Sequence, residues 1–89
     1  MKESEWNIIS FVVRSKHRKK ILELLTAPKT PTKLKTETEL HFNAVSRVIL
    51  ELEKKGLIKC LNPTQKLSRF YQITNKGKEI LVKLNKLSY

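Results

Sequence analysis

The strongest periodicity in the chain lies after Phe42, where Val45, Val48, Ile49 and Leu52 recur at the i, i+3, i+4, i+7 spacing of a helix with one buried stripe. This helix, about residues 42–55, stops at Gly56, the residue type that most readily takes the left-handed backbone closing a helix. Three weaker patterns precede it. Glu5 to Val13 sets Trp6, Ile9 and Val13 on one helical face, although the β-branched Ile8, Ile9, Val12 and Val13 pull towards extended backbone. Ser15 can accept from the free amides of a helix running from Lys16 to Thr26, with Ile21, Leu24 and Leu25 inward and Pro28 beyond its end. Thr30 before Pro31 opens a short helix to about Thr38, because proline at the first helical position gives up an amide that has no partner anyway.

Beyond Gly56 the period changes. Leu57 to Leu61 and Ser68 to Ile73 read as strands around the turn-rich Asn62-Pro63-Thr64-Gln65-Lys66, which predicts an antiparallel hairpin over about 57–73 with Tyr71 and Ile73 completing the core. Thr74 then caps a last helix, about residues 75–87, whose apolar stripe is Ile80, Leu81, Leu84 and Leu87. With only Glu39 to His41 between two of the helices, the order of elements is the plan of a winged helix-turn-helix. The expectation is a mostly α fold with a small antiparallel β-hairpin, a single domain over residues 1–89.

Charge sharpens that expectation. The net charge is +11, and the excess of Lys and Arg over Asp and Glu is nil over residues 1–15, four over 16–40, one over 41–58 and six over 59–89. Cations thus flank a nearly neutral middle helix, which suits a polyanionic partner; a generic solvated surface is the plainer alternative. Turning Val45, Val48, Ile49 and Leu52 inward leaves Asn43, Arg47, Leu50 and Lys54 outward, with Ser46 and Glu51 on the shoulders. Arginine bonds guanine bidentately, asparagine does the same to adenine, and serine serves base or phosphate. Arg47 is the first choice for a base or phosphate contact, against a surface pairing with Glu51 one turn on. Leu50 reads either as an isolated exposed leucine or as a contact to a thymine methyl or a partner subunit. Lys66 and Arg69 stand at the hairpin tip, placed for phosphate or minor-groove contact or simply solvated.

The segment HFNAVSRVILELEKKGLIKCLNP followed by RFYQITNKGKEIL resembles the winged-helix transcriptional regulators of archaea and bacteria, the MarR-like and ArsR-like group, and most of all their short archaeal members. The resemblance covers about Ser15 to Leu81, with VSRVILELEKKGLI and YQITNKG as its best marks. It implies groove-reading positions at His41, Asn43, Ala44, Ser46 and Arg47, and wing contacts at Lys66 and Arg69. Two departures from the family pattern stand out: Lys35 in place of a small residue, placed to run its stem along the helix pair and add a phosphate contact, and Glu39 in place of a turn glycine, which implies a turn without a positive φ.

The sequence thus points to a sequence-specific regulator of transcription that binds double-stranded DNA and is cytoplasmic. A homodimer is expected, because one recognition helix reads only a few base pairs; Trp6 and Ile9 at one end and Leu84 and Leu87 at the other are its candidate surfaces. The rival readings are a winged-helix protein-interaction or assembly module and an RNA-binding domain. No metal site is expected, since Cys60, His17 and His41 lack ligand spacing. Cys60 reads as a small apolar strand residue and His17 as a polar residue near a helix start, while His41 suits a phosphate contact or a turn equally. No phosphate loop, nucleophile constellation, membrane span or signal peptide is visible, so no enzyme, cofactor or membrane partner is expected, and no pattern specifies a small-molecule effector.

Overall fold

The computed structural model describes residues 4–86. The elements run α1 (Glu5–Val13), α2 (Lys16–Leu24), α3 (Pro31–Thr38), α4 (Phe42–Lys54), β1 (Ile58–Cys60), β2 (Tyr71–Ile73) and α5 (Asn75–Lys86). Each start has a local cause. The side chains of Ser4, Ser15 and Thr30 accept from Asn7, Arg18 and Lys33 amides in the first turns of α1, α2 and α3, and the Thr74 hydroxyl accepts from the Gly77 amide at 3.1 Å to open α5. These bonds satisfy donors that a helix start otherwise leaves orphaned.

Helix α4 ends as its sequence predicts. Gly56 takes φ +75, its amide donates to the Glu53 carbonyl at 2.9 Å, and the Leu57 amide reaches back to the Leu52 carbonyl at 3.0 Å. Leu52 and Leu57, both fully buried, join the same core on either side of that cap. Capping takes the Leu57 amide, while its carbonyl still accepts from the Thr74 amide at 2.9 Å and extends the hairpin by one bond beyond its paired strands. The register pairs Ile58 with Ile73, Lys59 with Gln72 and Cys60 with Tyr71. A third edge escapes the sequence reading: Lys29 exchanges two backbone hydrogen bonds with Tyr71, at 3.1 and 2.9 Å, before α3 begins. The Ile73 amide also donates to the Leu25 carbonyl at 2.8 Å, tying the hairpin to the end of α2.

One core gathers Ile8, Ile9 and Val12 of α1, Ile21, Leu22 and Leu25 around α2, Leu34 of α3, the whole Val45-Val48-Ile49-Leu52 stripe, the hairpin's Ile58, Tyr71 and Ile73, and Ile80 and Leu84 of α5. In α1 the buried face differs from the expected one: Ile8, Ile9 and Val12 are inward, whereas Trp6 is 67% exposed. In α2 Leu22 is buried and Leu24 only half so.

Glu39 corrects a second expectation. It adopts φ 60 and ψ 21, the left-handed region, with its amide on the Lys35 carbonyl at 2.9 Å. The turn between α3 and α4 therefore keeps the geometry a glycine would favour, at a steric cost of about 1 kcal/mol for a side chain there. Relief of that strain outweighs the extra unfolded-state freedom of glycine, so Glu39→Gly is expected to raise stability by about 0.5–1 kcal/mol in a urea melt. Gly77 behaves in the opposite way. A Cβ on Gly77 meets the Leu57 carbonyl oxygen at 2.3 Å and Ile73 Cγ1 at 2.6 Å. Alanine normally gains about 1 kcal/mol over glycine inside a helix, yet here the clash with rigid backbone dominates. Gly77→Ala is expected to cost about 3 kcal/mol in the same melt.

Candidate nucleic-acid interface

Burial of one stripe of α4 fixes the direction of the other. Val45, Val48, Ile49 and Leu52 are at most 6% exposed, so Asn43, Arg47, Leu50 and Lys54 form an outward row, with Ala44 and Ser46 half-buried beside it. Arg47 makes no hydrogen bond or ion pair with another described residue, and the pairing with Glu51 that sequence allows is not formed. Glu51 is taken instead by Arg18 of α2, whose Nη2 and Nε donate to the two carboxylate oxygens at 2.8 and 3.4 Å. Arg18 Nη1 also donates to the Phe11 carbonyl at 2.7 Å, and the guanidinium stacks 3.9 Å from the Phe11 ring centroid. One half-buried arginine thereby joins α1, α2 and α4, and it occupies the carboxylate that lies one turn from Arg47. This pair lies 33 positions apart in the chain, which no local pattern reveals.

His41 stands at the N-cap of α4, exposed, with no side-chain capping bond. Lys35 is exposed in the last turn of α3, so its long side chain poses no packing problem. Lys29 pairs with Glu37 across 2.7 Å, holding the Glu37 carboxyl below its ordinary range.

The wing is a built loop. Asn62 Nδ2 donates to the Ser68 carbonyl at 3.2 Å while Asn62 Oδ1 accepts from the Phe70 amide at 2.8 Å. Arg69 Nε donates to the Gln65 carbonyl at 2.6 Å and Nη2 to the Pro63 carbonyl at 3.4 Å. Arg69 therefore spends part of its donor set inside the loop, leaving Lys66 as the exposed wing cation without such ties. Thr30, Thr32, Phe42, Lys66 and Arg69 border a common cleft, which sets the wing tip beside the starts of α3 and α4. No sequence pattern marks the threonines or Phe42 as neighbours of the wing; only the proximity of three elements reveals them.

The expected dimer surfaces fare unevenly. Ile9 and Leu84 are 4% and 0% exposed because the chain's own core uses them, so neither offers a free apolar face. Trp6 is exposed over a shallow hollow with Ile9, Lys83 and Lys86, and Leu87 lies outside the described residues. Cys60 is half-buried against the core. Among the described residues no three His, Cys, Asp or Glu side chains converge, and no helix is long and apolar enough to cross a membrane.

The Arg18 lock has a measurable consequence. Arg18→Met keeps the apolar stem but strands Glu51 and the Phe11 carbonyl, and is expected to lower stability by about 1–2 kcal/mol in thermal or urea unfolding. The exposed Arg47→Ala exchange should leave the same melt within about 0.5 kcal/mol.

A family model described as winged helix-turn-helix matches residues 14–89. No curated protein matches the chain by sequence. Among solved structures it is similar to a mutant of MarR from E. coli complexed with operator DNA, at 26% identity and a TM-score of 0.75 over 89% of this chain and 59% of that one. It is also similar to the transcriptional regulator BldR from Sulfolobus solfataricus, at 23% identity and a TM-score of 0.72 over 81% and 53%, and to a mutant of ZitR from Lactococcus lactis, at 19% and 0.71 over 81% and 51%. The chain thus spans between 51% and 59% of the length of these neighbours. It belongs to the winged helix-turn-helix family, and its structural neighbours are MarR-family and related transcriptional regulators.

Proposed function

We propose that the chain is a sequence-specific, double-stranded DNA-binding regulator of transcription that acts as a homodimer. The observation that carries this reading is the outward row of α4: Asn43 and Arg47 stand exposed on a helix whose other face is wholly buried, beside a basic wing. Such a helix fits the major groove, where arginine and asparagine distinguish guanine and adenine. In this reading α4 enters the groove with His41, Asn43, Ala44, Ser46 and Arg47 nearest the bases. Lys35, Lys54 and Lys66 meet phosphates, and Arg69 mainly holds the wing in shape. The operator-bound MarR neighbour supports the reading at the level of fold and partner class. Pairing of two copies supplies the second half-site a single helix lacks, with exposed Trp6 on α1 and Val82 on α5 as its apolar surfaces. Chemistry of catalysis plays no part in it.

Selection of bound sequences from a random duplex pool tests the proposal. The expected product is a paired, near-palindromic consensus; recovery of no enriched sequence contradicts it. On the selected duplex, Arg47→Ala is expected to lose about 1–3 kcal/mol and to flatten preference at one base position. Lys66→Ala should weaken preferred and scrambled duplexes alike, reducing the salt slope by about one for each phosphate that is no longer neutralised. Fluorescence titrations across salt concentration separate these two behaviours.

A further inference from the structure

The core uses only one face of the hairpin. Ile58, Tyr71 and Ile73 turn inward, so by the alternation of a strand Lys59, Leu61, Phe70 and Gln72 share the opposite face, away from the buried stripe of α4. Lys59 stands across from Gln72, and the Leu61 amide donates to the Phe70 carbonyl at 2.8 Å one step further out. Leu61 and Phe70 thus form an opposed apolar pair, 43% and 42% exposed. Towards the helices the same face opens into a cleft of about 440 Å³ bordered by Lys59, Gln72, Asn75, Lys76 and Lys78. Lys76 Nζ is held on the Lys55 carbonyl at 3.0 Å, whereas Lys59 and Lys78 are exposed and make no hydrogen bond or ion pair with another described residue. From Lys54 to Lys78 the sequence holds no Asp or Glu. Glu79, the next acid, lines a separate hollow with Glu5 and Ile8 beside α1. The edge of β1 is open as well. In the antiparallel ladder Lys59 and Leu61 turn their backbone groups towards the partner strand, while Cys60 turns its own away, where no described residue bonds them.

We infer that this outer face docks an acidic, extended segment of a partner protein, added as a strand along β1. The segment's backbone bonds the amide and carbonyl of Cys60, as in other strand additions to an open sheet edge. Side chains two residues apart on an added strand share a face, so an acid beside Lys59 brings an apolar side chain beside Leu61. Charge selects the occupant. A second copy carries its own net +11 against the same cations, and a duplex matches the cations but leaves the Leu61–Phe70 pair without an apolar partner. The face lies opposite α4, and the inference stands independently of the DNA-binding reading.

Fluorescence anisotropy of the full chain with a labelled peptide of repeated Glu-Thr-Leu-Thr units tests it, because glutamate and leucine then alternate along one face of the strand. At low salt this peptide is expected to bind about tenfold more tightly than Lys-Thr-Leu-Thr or Glu-Thr-Ser-Thr controls. Reversing both cations, Lys59→Glu with Lys78→Glu, should weaken it by about tenfold, and Phe70→Ser by about fivefold, with melting temperatures unchanged. Arg47→Ala should have no effect. A peptide N-methylated at its threonine amides cannot donate to the edge and should not bind; retained binding overturns the strand geometry. Equal binding of the lysine control, or indifference to the double reversal, overturns the acidic occupant. If a duplex displaces the peptide and the double reversal weakens the duplex equally, the face belongs to nucleic acid instead.

Discussion

Everything in the fold that bears on recognition depends on the burial of the Val45-Val48-Ile49-Leu52 stripe. Those four side chains, each at most 6% exposed, set the rotation of α4 about its axis. Because neighbouring residues on a helix differ by a fixed angle, the outward direction of Asn43, Arg47 and Lys54 follows from the inward one. Translation along the axis is set elsewhere: by the left-handed Glu39 at one end and by the Gly56 cap with its Leu57-to-Leu52 backbone bond at the other. The Arg18–Glu51 pair fastens the same helix to α2 and α1 on its shoulder. Packing, two terminal devices and one polar clamp thus hold a single helix from four sides.

The wing is positioned by different means. Its two strands are only three residues each, too short to be stable alone. Stability comes from what surrounds them: the Lys29 exchange with Tyr71, the Ile73 bond to the Leu25 carbonyl, and the close approach of α5 that only a glycine at position 77 permits. These ties link the hairpin to α2 and α5, while Asn62 and Arg69 shape its tip from within. Helix and wing are thus tied to the same frame of α2, α3 and α5.

Sequence makes the helix starts and α4 legible because their causes are local. Ser15, Thr30, Pro31, Thr74 and Gly56 act within a turn of their own positions, and the α4 stripe repeats clearly against charged neighbours. The face of α1 is not legible: Ile8, Ile9, Phe11, Val12 and Val13 make nearly the whole segment apolar, so periodicity offers little contrast, and Trp6, inward by that pattern, stands exposed. Glu39 defeats a local reading since its backbone is dictated by the crossing of α3 and α4, not by its own preference. The Arg18 clamp, the Lys29 edge and the folded-back Arg69 are all tertiary facts. Ile9 and Leu84 show the same limit in another form, for an apolar residue on a helix does not declare whether its own chain or a second copy covers it.

The face opposite the buried α4 stripe, together with the wing, is the surface proposed to meet DNA. Nitrogen-15 amide shifts recorded while a duplex is titrated into labelled protein test it most directly. The perturbed amides are expected to gather at the starts of α3 and α4, from Thr30 to Lys33 and from His41 to Arg47, and in the wing from Leu61 to Phe70. Perturbation centred on α1 and the outer face of α5, with those segments unmoved, would contradict it.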